Sequence, residues 1–208
     1  MTSKFNRDFY RQDIKDLAKA LLGSTLVRLL NSGEKLSGKI VEVEIYTQKD
    51  DPSSHSYKGK TSRNAVMFGP PGHLYVYFTY GMHFCSNIVC GPEGRGDAIL
   101  IRALEPQNGI DIMIKQRFDA NDKEKIPYRN LTNGPAKLCR AFGIDMTMND
   151  ADLCGEEVWI EQGETLEEEK IGISTRIGIT RAKDQFKRYY IKGNPWVSKT
   201  GKGIKHRD

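Results

Sequence analysis

Cysteine and histidine are scarce in this chain, and the few present do not cluster. The four cysteines (Cys85, Cys90, Cys139, Cys154) show no Cys-x-x-Cys spacing, and the four histidines (His55, His73, His83, His206) stand apart from them. Such spacing argues against a zinc site and against a disulfide framework, so no metal is expected. Long apolar runs are missing as well. No stretch reaches the roughly 18 apolar residues of a membrane span, and no apolar signal region opens the sequence. A reducing, cytoplasmic setting without a membrane partner is the expectation.

Excess charge is also small, +5 over 208 residues, which by itself points only weakly to a polyanionic partner. Its distribution says more. Asp145–Lys170 carries ten acidic residues and one basic residue, whereas Arg181–Asp208 carries nine basic and two acidic. A polarised surface is expected, one side positive and one solvating. The length suits one compact domain that buries about 70% of its unfolded surface. No internal repeat or linker divides the chain.

Periodicity outlines the elements. Ile14, Leu17, Ala18, Leu21 and Leu22 share one helical face, and Gly23 is a stop signal. Leu26–Leu30 and Leu36–Tyr46 read as strands around a turn at Asn31, Ser32 and Gly33. Asp50–Asn64 is a polar loop. Tyr75, Tyr77 and Tyr80 lie on a strand that breaks at Gly81, the mark of a β-hairpin whose other limb runs to about Cys90. Ala98–Leu104 is a further strand, closed by Pro106. Ile110–Phe118 is helical, and a second helix starts at Gly134-Pro135 and ends at Gly143. Val158–Glu161, Arg176–Thr180 and Tyr189–Lys192 are strand candidates, and Thr200–Asp208 reads as a loose tail.

Four groups of residues have the makings of a site. In the strand ending at Tyr46, period two puts Val41, Val43 and Ile45 on one face and Glu42, Glu44 and Tyr46 on the other. A carboxylate beside an aromatic ring can hold and attack a planar substrate. Spacing does not choose between the two glutamates, and an ordinary exposed polar face is the alternative. His55, with Arg63 and Asn64, offers an imidazole able to stack on or hydrogen-bond a base. The hairpin places Tyr75, Tyr77 and Thr79 on one face, with Asn87 on the return limb. Tyr80 at the tip is the tyrosine least easily explained by packing, and a base stack is a partner for such a ring. Arg102, inside an apolar strand, needs an anionic partner. Glu44 qualifies, as do Glu42 and Glu105 in a purely structural pair.

Taken together these segments resemble the alkyladenine (3-methyladenine) DNA glycosylase family, the type without a helix-hairpin-helix motif. The resemblance runs in order through residues 38–46, His55-Ser56, Arg63-Asn64, Met67-Phe68, Leu74-Tyr75-Val76-Tyr77, Tyr80-Gly81-Met82, Phe84-Cys85, Asn87-Ile88 and Arg102-Ala103-Leu104-Glu105-Pro106. It continues through Gly134-Pro135, Lys137-Leu138-Cys139 and Gly193 to Pro195-Trp196-Val197-Ser198. It implies one domain over residues 1–208, α+β, with a mixed, largely antiparallel curved sheet, surrounding helices and a protruding β-hairpin. It further implies that Glu44 activates water, that Arg102 holds that water and Glu44, and that Tyr46, His55 and Tyr77 sandwich a flipped base. Asn87 would obstruct the exocyclic amine of guanine. Tyr80, with Met82 beside it, would enter the minor groove, and Lys137 would hold a phosphate. The implied partner is double-stranded DNA containing damaged purines, met by a monomer without a cofactor, in the cytoplasm at the bacterial nucleoid or in a nucleus. His83, Ser53, Ser54 and the loop Asp119–Leu131 depart from the family pattern, which bears on substrate preference. Two other readings compete with this one: a non-catalytic nucleic-acid-binding module, and a small-molecule hydrolase using Glu44 and His55.

Overall fold

A computed structural model describes residues 3–79, 81–118, 128–199 and 203–207. Among them are three α-helices, α1 (Ile14–Leu21), α2 (Ile110–Arg117) and α3 (Pro135–Phe142). Nine strands accompany them: β1 (Thr25–Leu29), β2 (Lys35–Tyr46), β3 (Leu74–Thr79), β4 (His83–Cys90), β5 (Asp97–Asn108), β6 (Val158–Glu161), β7 (Ile171–Ser174), β8 (Arg188–Ile191) and β9 (His206–Arg207). They form one sheet in the order β3-β4-β5-β2-β8-β7-β9, with β1 joined to β2 and carrying β6. Every pairing among the described strands is antiparallel. The α+β class and the largely antiparallel sheet are as expected, with no parallel pairing among the described strands to make the sheet mixed. No helix among the described residues is long and apolar enough to cross a membrane.

The long strand β2 organises the sheet. One edge follows β5, and the other is shared, Lys35–Lys39 pairing with β1 and Glu42–Glu44 with β8. Its Val41, Val43 and Ile45 enter the main core with Ile99, Ile101 and Ala103 of β5 and Leu138, Ala141 and Phe142 of α3. The predicted face of α1 closes the same core through Ile14, Leu17, Ala18 and Leu21, and the Asp13 side chain caps the helix by accepting from the Lys15 N–H. A smaller cluster of Met67, Phe68, Tyr75, Val89 and Ala98 backs the hairpin. Proline at the first position of α3 and Gly143 with φ +62° just past its end match the signals in the sequence.

Three expectations fail. Arg176–Thr180 is not a strand: β7 lies earlier, at Ile171–Ser174. Beyond it the Arg176 side chain is taken by Asp51, and the Ile177 N–H goes to a carboxylate rather than to a ladder. The strand that was to close at Pro106 continues to Asn108 and sets Pro106 opposite Gly38, where the register shifts. A proline without an N–H is tolerated at such an irregular point. The tail is partly docked, since His206 and Arg207 pair with Ser174 and Ile173 as β9. Residues 200–202 and 208 lie outside the described residues, as does 119–127 of the divergent loop.

Candidate active site

Period-two alternation splits the hairpin and β5 between two environments. Leu74 and Val76, Ile88 and Cys90, and Ile99 and Ile101 go to the main core. The alternate residues, Tyr75 and Tyr77 on β3, Cys85 and Asn87 on β4, and Leu100 and Arg102 on β5, line a cavity of about 370 Å³. Tyr46 at the end of β2, Ser53, His55 and Arg63 from the polar loop, and Ile177–Ile179 supply further lining. Volume and lining suit a small flat molecule.

The rings are fixed to one another. Tyr75 and Tyr77 stack with centroids 5.5 Å apart, and His55 meets the Tyr77 ring edgewise at 4.5 Å. His55 Nδ1 shares a 2.9 Å hydrogen bond with the Tyr75 hydroxyl, and Asn64 Nδ2 donates to the His55 carbonyl. Asn87 Nδ2 donates to the Tyr75 carbonyl at 3.1 Å. Burial, helped by the charge of Arg63, lowers the His55 pKa below its ordinary value, so the imidazole is neutral at pH 7. Burial likewise pushes the phenols of Tyr46 and Tyr77 up, keeping both protonated.

Behind this wall lies a cluster of buried charges. The alternative of an ordinary exposed face for Glu42 and Glu44 does not hold, both being 0% exposed. A local irregularity explains how they meet Arg102. Ile40 pairs with Leu104 and Glu42 with Ala103, but Val43 pairs with Ile101, so the register slips at Val41 on β2 and slips back at Arg102 on β5. Bulges of this kind re-aim side chains beside functional sites. Arg102 donates from Nε to Glu42 Oε1 at 3.0 Å and from Nη1 to Glu44 Oε2 at 3.1 Å. Burial opposes its charge, but the carboxylates of Glu44 and Glu42 outweigh that and raise its pKa.

The two glutamates differ in their other partners. Glu44 accepts from the Tyr46 hydroxyl at 2.9 Å and from the Ile177 N–H at 2.7 Å. All three of its donor residues line the cavity. Glu42 instead accepts from Arg188 Nε at 2.7 Å and from the Ser198 N–H and hydroxyl at 2.7 and 2.8 Å, and neither Arg188 nor Ser198 lines the cavity. Burial works to raise the Glu42 pKa, but Arg102 and Arg188 overcome it and hold the group below the usual carboxylate range.

Tyr46, His55, Tyr77, Asn87 and Arg102 are thus brought to one cavity, with Glu44 directly behind Tyr46 and Arg102. Tyr80 lies outside the described residues. Met82, just past Gly81 (φ +69°) at the hairpin turn, is 70% exposed. Lys137 stands in the first turn of α3, two residues from cavity-lining Pro135, and donates to Asn133 Oδ1. Burial, then the charges of Arg117 and Lys199, lower its pKa. Sequence reasoning missed Asp51 and Arg176, a fully buried ion pair with contacts at 2.6 and 2.7 Å. The signal was present: Arg176 beside Ile177 poses the question that Arg102 posed, namely which anion compensates a buried guanidinium.

Fold and site together describe an antiparallel α+β protein with an aromatic cavity set against a fixed, charge-compensated carboxylate. Comparison with known proteins gives that description a family. The profile of the methylpurine-DNA glycosylase family matches residues 8–195. A protein of Carboxydothermus hydrogenoformans named "Putative 3-methyladenine DNA glycosylase" is 52% identical over 194 residues, covering 93% of this chain and 97% of its own. Proteins of the same name from Clostridium acetobutylicum (46% identical, 94% and 97% covered) and Chlorobaculum parvum (42%, 96% and 93%) are similar throughout. The chain belongs to the methylpurine-DNA glycosylase family. It is accordingly a DNA-binding repair enzyme, a hydrolase of N-glycosyl bonds.

Proposed function

We propose that the enzyme takes a damaged purine, rotated out of duplex DNA, into the aromatic cavity and cleaves its N-glycosidic bond with a water that gives its proton to Glu44. The observation that carries this reading is the setting of Glu44, a buried carboxylate whose three donors, Tyr46, Arg102 and Ile177, all form cavity wall. A base stacked in a duplex hides its glycosidic carbon, so extrusion must precede chemistry, at a cost of roughly a few kcal/mol that is least for damaged pairs. Purines alkylated at N3 or N7 are cationic, and the faces of Tyr46 and Tyr77 attract a cation. A neutral His55 adds no repulsion. As the base departs, positive charge develops on the sugar, which a fixed carboxylate stabilises before it accepts the proton of the adding water. The product is an abasic site.

The remaining roles are those that the family resemblance implies for these residues. Asn87, tethered to the Tyr75 carbonyl, obstructs the exocyclic amine of guanine. Tyr80 and Met82 enter the minor groove from the hairpin, and Lys137 holds a phosphate. The substrate class is 3-methyladenine, 7-methylguanine, hypoxanthine and ethenoadenine in double-stranded DNA, handled by a monomer of one domain without a cofactor. The test is base release from an oligonucleotide carrying one such lesion, read by alkaline cleavage of the abasic product. Glu44→Gln should lower the single-turnover rate by about 100- to 10,000-fold while leaving lesion-duplex binding in place. Release at the wild-type rate by E44Q would sink the proposal.

A further inference from the structure

Asp51 and Arg176 do not line the cavity, yet they join three of the segments that do. Arg176 grips Asp51 with both terminal nitrogens, at 2.6 and 2.7 Å, and Nη1 also donates to the Ile45 carbonyl at 3.0 Å. Its guanidinium lies 4.6 Å from the centroid of the Tyr46 ring. The very next residue, Ile177, supplies the N–H that reaches Glu44 Oε1. Asp51 in turn accepts from the Ser53 N–H through its side chain and from the Ser54 N–H through its carbonyl, in the turn that leads to His55. Lys187 Nζ approaches Asp51 Oδ2 at 3.2 Å and completes its compensation. One fully buried ion pair therefore fixes the Tyr46 ring, the amide facing the carboxylate and the root of the His55 loop.

We propose that Asp51 and Arg176 are positioning residues for the glycosylase reaction, setting Glu44 through the Ile177 amide and Tyr46 through its ring face. The proposal rests on the role given to Glu44 above. A planar fork locked on both oxygens of a carboxylate has one geometry, which a lysine or an amide does not reproduce. Releasing it leaves the cavity lining intact in composition while loosening the reacting groups, and a displacement of about 1 Å costs about 100-fold in rate. The loss should fall on chemistry rather than on substrate capture.

Single-turnover base release from a hypoxanthine-containing duplex separates the two. Asp51→Asn and Arg176→Met are compared with Arg28→Met, which removes another buried guanidinium that pairs with Glu157 away from the cavity. All are assayed below their measured unfolding temperatures and normalised to folded protein. D51N and R176M should lower the maximal rate about 100-fold with the half-saturating enzyme concentration changed less than about 3-fold, whereas R28M keeps the wild-type rate. D51N preserves shape and covers the case in which R176M does not fold. A wild-type maximal rate in folded D51N or R176M overturns the proposal, as does a loss lying wholly in half-saturation or an equal loss in R28M. E44Q in the same assay keeps the two ideas apart: wild-type release by E44Q removes the role of Glu44, and wild-type release by D51N with an inactive E44Q removes only the positioning role.

Discussion

On one face of β2, Val41, Val43 and Ile45 pack among Ile99, Ile101 and Ala103 in the main core. On the other, Glu42 and Glu44 are as deeply buried, with Arg102 and Arg188 around them and Asp51–Arg176 alongside. The apolar face stabilises the fold in proportion to area removed from water, about 25 cal/mol per Å². The charged face gains little by that measure, because desolvating ions offsets most of their attraction, and a well-packed apolar replacement of such a network is often neutral or better. What the charged face provides is a carboxylate fixed beside a cavity. Under the proposed reaction its presence is understood through chemistry, that of the apolar face through the fold.

The largest effect is expected where a buried charge loses its partner. Glu42→Gln leaves Arg102 and Arg188 facing one carboxylate fewer and should cost about 3–5 kcal/mol in denaturant unfolding. Glu44→Gln should cost less stability, because Arg102 keeps Glu42, and far more rate. The sign of the pH dependence follows. Glu42 and Asp51 are held below their ordinary values, by Arg102 and Arg188 in one case and Arg176 and Lys187 in the other, against burial in both. The folded state therefore binds fewer protons than the unfolded chain in acid, and their contribution is complete above the unfolded values of about 4 and lost as pH falls through the folded ones. Unfolding free energy should fall steeply below about pH 4.5 in the wild type and less steeply in E42Q. Parallel slopes for the two would remove Glu42 from the account.

How much of this was legible in the sequence differs between the same two faces. Val41, Val43 and Ile45, the helix at Ile14–Leu21 and the Pro135–Gly143 signals follow from periodicity and local backbone chemistry, which act over a few residues. The charged face depends on contacts across more than a hundred positions, Asp51 with Arg176 and Glu42 with Arg188. Arg102 announced a need for an anion but not which one, because the slipped register that aims it at both Glu42 and Glu44 arises only when β2 and β5 pair. Arg176–Thr180 reads as a strand by composition, and long-range attraction of Arg176 and of the Ile177 amide wins over that local preference. The choice of Glu44 over Glu42 as the water-activating group came from family resemblance. The geometry supports it on separate grounds, the cavity-lining partners of Glu44.

A smaller effect tests the apolar face. Ile101→Val, opposite Val43 in the main core, should cost about 0.5–1.5 kcal/mol, with base release unaltered. The loss should be the same at about pH 4 as at about pH 7, since no titrating group is touched. A loss that grows in acid would mean that the two faces are coupled through the sheet.

The smallest effect is expected from a third situation on the same pair of strands. Lys39 of β2 stands directly opposite Glu105 of β5, and their side chains meet at 3.0 Å, but both are partly open to solvent. Here the charges keep much of their hydration when paired, and water screens the attraction. Glu105 also retains the amide of Asn194 as a donor when the lysine is removed. Lys39→Ala should therefore cost less than about 1 kcal/mol, and the difference from wild type should shrink towards zero near 1 M salt, where the screening length is about 3 Å. In E42Q the penalty should persist at that salt concentration, because no ion reaches the buried cluster. If K39A destabilised as much as E42Q, burial would no longer distinguish the ion pairs of β2, and the contrast between its faces would reduce to the presence of charge alone.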